Sequence, residues 1–203
     1  MPLLTLQTVL NNFINNYQPN PIKYFYEEDL RADLLIRLCG ETSFNIKLPI
    51  TSKNEWLRDY ATIFDEGINI SGIKAEYPST TRFDIAYINP KTIIPESFSN
   101  HYMLECLFGL EVKLSQRDNK NSDFKTDIKK LFDYKRLFPT FTGIAINFEQ
   151  NPKYSIESVY RDYNNYDNLK FTLLKEPILL VENTINYFFI CKDFILGGNL
   201  NAT

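Results

Sequence analysis

The chain has 203 residues, 22 Lys and Arg against 25 Asp and Glu, and a formal net charge of −3, which counts against a high-affinity, non-specific binder of polyanions. A hydrophobic fraction of 44% with 16 Phe and 13 Tyr excludes a disordered chain, and the length suits one domain with a sizeable core. Cys39, Cys106 and Cys191 are widely spaced with no C-x-x-C pair, which disfavours a disulfide framework, a structural zinc and a cysteine-ligated iron–sulfur cluster.

Residues 4–17 place Leu6, Val9, Leu10, Phe13, Ile14 and Tyr17 at helical spacing, and Pro19 and Pro21 end that helix. A second helix is expected from about Ile22 to Cys39, with Leu30, Leu34, Leu35 and Leu38 inward and Gly40 as its cap. Glu27 aligns with Leu30 and Leu34, and Glu28 aligns with Leu35, so either acid borders the apolar stripe. Acids of a first turn complementing the helix dipole explain them equally well. Phe44 to Ile50 reads as a short extended piece, and Ser52-Lys53-Asn54-Glu55 as a capping box opening a helix over about 52–66 with Trp56 inward.

Ile68 to Glu76 gives a first strand, and Pro78-Ser79-Thr80-Thr81 turns the chain into a second, Arg82 to Ile88. There Phe83, Ile85 and Tyr87 alternate with Asp84, Ala86 and Ile88. A polar loop follows through about His101, then the run Leu107 to Leu114. Side chains of a strand alternate, so Phe108, Leu110, Val112 and Leu114 form a core face. Leu107, Gly109, Glu111 and Lys113 share the other, where burying either charge without a partner costs several kcal/mol. If these strands are antiparallel neighbours, Asp84 and Glu111 converge on one divalent cation with Lys113 beside it, a donor set suited to phosphodiester hydrolysis.

After a charged loop, Gln116 to Ser122, a helix carries Phe124, Ile128, Leu131, Phe132 and Lys135 inward, with Lys125, Asp127, Lys129, Lys130 and Arg136 outside. Its five bases form a solvated face or a set of phosphate contacts. Thr142 to Phe148 is a buried-type strand, and strand, helix, strand is the mark of a right-handed crossover to a parallel neighbour. Ser155 to Tyr163 reads as a short helix. The runs around Phe171 and from Ile178 through Phe194 read as a closing hairpin or edge strands, with Gly197-Gly198-Asn199 as a frayed tail.

Asp84 followed by Glu111-Val112-Lys113, within the order helix with acids, three strands, basic helix, buried strand, resembles the PD-(D/E)xK nucleases, the restriction-endonuclease-like superfamily. Phe83 stands where that pattern often has Pro. The resemblance implies an α/β fold with an αβββαβ core and a mixed central sheet flanked by helices. In one domain over residues 1–203 it places the core at about 22–150, an inserted helix at about 52–66, an extra N-terminal helix, and a C-terminal β-rich extension over 151–203. It implies that Asp84, Glu111 and the carbonyl of Val112 ligate Mg²⁺ or Mn²⁺. Glu27 or Glu28 would be the helix acid, with Glu28 a further ligand, Lys113 would orient or deprotonate the attacking water, and Gln116 would assist.

The function so implied is a metal-dependent endonuclease hydrolysing DNA phosphodiester bonds in restriction, repair, recombination or mobile-element biology, with a homodimer suggested by the need to cut two strands. The alternatives are a nuclease-fold binding or assembly module without catalysis and, for the trio itself, a buried salt bridge. His101 is the only histidine, and no G-x-S-x-G, H-E-x-x-H or G-x-x-x-x-G-K-[ST] stretch is present, so neither a nucleophilic triad nor a nucleotide cofactor is expected. No stretch reaches ~18 uninterrupted apolar residues and no signal segment opens the chain, so the expectation is a cytoplasmic protein without a membrane partner.

Overall fold

A computed structural model describes residues 2–48, 68–78, 81–90, 105–115, 122–163, 169–175 and 177–201. Helix α1 (Pro2–Tyr17) buries Leu6, Val9, Leu10, Phe13, Ile14 and Tyr17, the full set given by the helical spacing. The next helix starts later than its apolar pattern suggests. Pro21–Lys23 forms a single 3₁₀ turn, Tyr24 and Tyr26 are extended, and α2 runs Glu27–Cys39. Its first turn is fixed locally, because the Asp29 carboxylate accepts the Tyr26 N–H at 3.3 Å. Leu30, Leu34 and Leu38 are buried, while Leu35 is only partly so. Gly40 follows as the cap with φ −72°, a right-handed conformation that does not require glycine. The later start makes Glu27 the first helical residue and aims it out of the end of α2.

Strands β1 (Asn45–Leu48) and β2 (Ile68–Ser71) form an antiparallel pair, and β3 (Ile73–Tyr77) follows directly. The single strand expected over 68–76 is therefore split at Gly72. Its N–H donates to the Phe44 carbonyl at 2.8 Å, and a Cβ there would stand 2.6 Å from the Tyr87 ring. The helix expected at 52–66, the loop with His101, and Gln116 lie outside the described residues.

The remaining elements are β4 (Phe83–Ile88), β5 (Cys106–Ser115), α3 (Ser122–Leu137), β6 (Thr142–Glu149), α4 (Ile156–Tyr163), β7 (Thr172–Leu174), β8 (Ile185–Ile190) and β9 (Ile195–Leu200). They complete a mixed seven-stranded sheet of order β3-β4-β5-β6-β8-β9-β7. β3, β4 and β5 form an antiparallel meander, α3 carries the chain to β6 parallel to β5, and β8 lies parallel to β6.

The C-terminal part departs from the expected appendage. β8 is an interior strand, buried along its whole length, and only β7 sits at the edge. Gly197, Gly198 and Asn199 lie within β9 rather than in a frayed tail, with Gly197 paired to both Phe188 and Thr172. Helix α1 grips this region. Asn11 both donates to the Ile178 carbonyl and accepts its N–H, Gln7 accepts the Leu180 N–H, and Gln18 donates to the Cys191 carbonyl.

Helices cover both faces. Phe108, Leu110, Val112 and Leu114 of β5 pack with α1 and α2, as alternation requires, beside Ile144, Ile146 and Phe148 of β6. The opposite layer joins Ala145, Tyr187 and Phe189 to α3 and α4. Phe83 is the exception to alternation in β4. It joins this second layer, stacked on Phe141 at 5.3 Å and edge-on to Tyr134 at 5.0 Å, whereas Ile85 and Tyr87 belong to the first. The residue before it, Arg82, has φ 51°, and this left-handed turn sets the strand entry.

Gly109 makes room for that ring pair, since a Cβ there would lie 2.7 Å from the Phe83 ring and 2.8 Å from that of Phe141. Gly109→Ala is expected to destabilise the protein by about 1–3 kcal/mol, the usual cost of overpacking, read as a lower urea midpoint with an unchanged slope.

Candidate active site

The site is built where β4 and β5 diverge. Their register pairs Ile85 with Leu110 and Ala86 with Gly109, and carried one residue further it sets Asp84 opposite Glu111. There the backbone ladder gives way to a side chain: the Val112 N–H donates to Asp84 Oδ2 at 2.8 Å. Within a strand the N–H and C=O of one residue leave on the same edge, so the Val112 carbonyl also faces the β4 side.

Asp84 is 7% exposed and Glu111 is 2% exposed. Each carboxylate meets a cation from a different helix. Arg31 of α2 donates to Asp84 Oδ1 at 3.0 Å and to Glu76 Oε1 at 2.7 Å, so one guanidinium ties α2 to β3 and β4. Lys130 of α3 places its ammonium 2.5 Å from Glu111 Oε1. Burial first, and then the charge of Asp84, pushes the Glu111 carboxyl up to about 8 against the pull of Lys130.

Lys113 points to the rim of the site. Its ammonium lies 3.2 Å from Glu27 Oε1 and 3.5 Å from Asp127 Oδ2. Burial disfavours its charge, yet Asp127 and Glu27 outweigh burial and hold the ammonium well above the ordinary lysine value. Glu27 also accepts the Leu114 N–H at 3.3 Å, which fixes the start of α2 against β5. Glu28 is exposed at the same turn and interacts electrostatically with Arg31. Of the two candidate helix acids, Glu27 is the one brought to Lys113.

Two site residues escape the sequence reading. Asp127 and Lys130, both assigned to the outside of α3, turn inward. Asp127 is buried, its Oδ2 lacks a hydrogen bond, and burial, opposed by Lys113 and Lys130, pushes its carboxyl up to about 6. The signal was present: Asp127 stands three residues after Phe124 and four before Leu131, inside the apolar stripe. Arg31 and Glu76 had no such signal, because their meeting depends on how α2 crosses the sheet.

The basic run of α3 does not form an open phosphate-binding face. Lys125 donates to the Asp162 carbonyl and Lys135 to that of Pro139, Lys129 pairs with Asp133, and Lys130 serves Glu111 and the Arg82 carbonyl. Arg136 is exposed. Lys74 donates to the Ser71 carbonyl, and Arg82 is exposed beside the site.

Among the described residues, no three His, Cys, Asp or Glu side chains converge as a metal cage. Each site carboxylate sits on a basic group instead. The donor chemistry nevertheless suits a hard divalent ion, since Glu111 and Asp127 present buried carboxyl oxygens whose close contacts are lysine ammoniums. Among the described residues no helix is long and apolar enough to cross a membrane. No family model, curated protein or solved structure matches the chain.

The raised Glu111 carboxyl has a pH consequence. A folded value near 8 against an ordinary 4.5 means that the folded state holds this proton more tightly, so its stabilisation is complete below 4.5 and is lost as pH rises through 8. In chelator, urea unfolding is expected to show stability falling across that window by on the order of a few kcal/mol. Glu111→Gln should flatten its upper part and leave the fall below about 6, which belongs to Asp127.

Proposed function

We propose that the protein is a metal-dependent phosphodiesterase of the PD-(D/E)xK kind, with DNA as its substrate. The observation that carries this reading is the placement of buried Asp84 and Glu111 at facing positions of two antiparallel strands, with Lys113 two residues further on and Glu27 of the preceding helix reaching that lysine. The element order α2, β3, β4, β5, α3, β6 supports it, being that of a restriction-endonuclease-like core with a parallel crossover after the Glu-x-Lys strand.

Asp84, Glu111 and the carbonyl of Val112 would hold Mg²⁺ or Mn²⁺, with Asp127 as a further oxygen donor close by. A bound divalent ion supplies charge to phosphoryl oxygens and makes a water molecule acidic enough to attack phosphorus. The protein's own groups do the rest. Asp84 is locked by the Val112 N–H and Arg31, so its orientation is set before substrate arrives. Lys113 carries an ammonium held between Glu27 and Asp127, and in that state it donates to the water or to a phosphate oxygen and offsets developing negative charge. Glu28, exposed on the outer side of the α2 terminus, fits a supporting role poorly beside Glu27.

A second reading has its own observation. Because Arg31, Lys113 and Lys130 already neutralise the site carboxylates, the same trio also suits a nuclease-fold binding or assembly module that has lost catalysis. Restriction, repair, recombination and mobile-element settings all remain within the first reading, and a homodimer would supply the second site that double-strand cutting needs.

Plasmid nicking separates the readings. With Mg²⁺ or Mn²⁺ the wild type is expected to nick supercoiled DNA, and Glu111→Ala and Lys113→Ala to lose about a hundredfold or more of that rate. Equal cleavage by all three proteins would reject the assignment, and absence of cleavage by the wild type would favour the binding module.

A further inference from the structure

We propose that Lys130 is an internal counter-cation: its ammonium occupies the Glu111 carboxylate in the metal-free protein and is displaced from it by the divalent ion. The inference rests on the metal-dependent reading above and concerns how that same site is guarded.

Three observations carry it. First, the contact is close and its acid side is buried. Lys130 Nζ stands 2.5 Å from Glu111 Oε1, within hydrogen-bonding distance of a carboxyl that is shut off from solvent. A carboxylate that is 2% exposed cannot remain there as an anion without a cation, and Lys130 is the basic side chain paired with it. Second, the lysine has somewhere else to go. Its ammonium already donates to the Arg82 carbonyl at 3.0 Å and lies 5.9 Å from the Phe83 ring centre, and its side chain is 29% exposed. Rotation of the flexible stem is enough to leave Glu111, with no movement of α3. Third, the two cations compete for one place. A doubly charged ion bound through Glu111 and Asp84 would repel an ammonium at contact distance from the same oxygen, so both cannot hold Oε1 together.

The consequence is a site that stays neutralised without metal. The acids are not left as a cluster of mutually repelling charges, and the ion must exchange with Lys130 rather than enter an open cage. This accounts for the lack of convergent donors among the described residues.

Acylation of lysine amines in the wild-type protein, mapped by mass spectrometry with and without Mn²⁺, tests the exchange, with calorimetry reporting Mn²⁺ binding in parallel. The expected result is a several-fold faster modification of Lys130 when Mn²⁺ is present, while Lys129, exposed on the same helix, does not change. In Glu111→Gln, Lys130 should react fast from the outset and no longer respond to Mn²⁺. Mn²⁺ binding with an unchanged or slower Lys130 rate would overturn the exchange and leave the metal reading standing. No Mn²⁺ binding at all would overturn the metal reading and the exchange with it. The wild-type measurement decides the matter even if Glu111→Gln does not fold.

Discussion

Burying Asp84, Glu111 and Asp127 within electrostatic reach of one another obliges the fold to bring a cation to each. A lone carboxylate in such surroundings would cost several kcal/mol, and three together repel one another. The protein answers from three directions. Arg31 comes from α2, Lys113 from β5 itself, and Lys130 from α3. This requirement adds to apolar packing in setting both helices on the sheet, because α2 and α3 lie on opposite faces yet both send a cation toward the end of the β4–β5 ladder. Arg31, bridging Glu76 and Asp84, and Glu27, bridging Lys113 and the Leu114 N–H, fasten α2 to the sheet by polar contacts in addition to its buried leucines.

The end of that ladder follows from a small local event. Beyond Ile85 the ladder between β4 and β5 stops, and the Asp84 side chain takes over the Val112 N–H. A side chain substituting for backbone pairing fixes the strand end and holds the Asp84 carboxylate opposite Glu111. The Phe83 ring, turned to the opposite layer from Ile85, closes the floor over Gly109.

Much of this was legible in the chain. The apolar face of β5, the inner stripe of α1 and the parallel crossover through α3 follow from periods of two and 3.6 acting on strongly apolar residues. The facing positions of Asp84 and Glu111 on antiparallel strands were also readable, since isolated charges on otherwise buried strands need a common reason. What could not be read was set by partners distant in sequence. Asp127 and Lys130 look like solvent-facing members of a polar helix until α3 is laid over β5, and Glu27 is distinguished from Glu28 only by where Pro21 and the extended Tyr24 and Tyr26 start the helix. The C-terminal strands were misplaced for a related reason: Gly197 and Gly198 lower strand propensity, and only pairing on both sides of β9 overrides it.

The amide side chains of α1 reach main-chain groups at Ile178, Leu180 and Cys191, and β8 is the parallel neighbour of β6. During synthesis, therefore, the opening helix can pack on α2 and β6 but lacks these main-chain partners, and the middle of the sheet has one bare flank, until the ribosome has released residues through about Cys191. Closure of contacts spanning nearly the whole polypeptide costs only slowly more as the loop lengthens, but it slows folding. Docking of α1 onto the C-terminal strands is accordingly a late event, separate from the pairing of β4 and β5 at the candidate site.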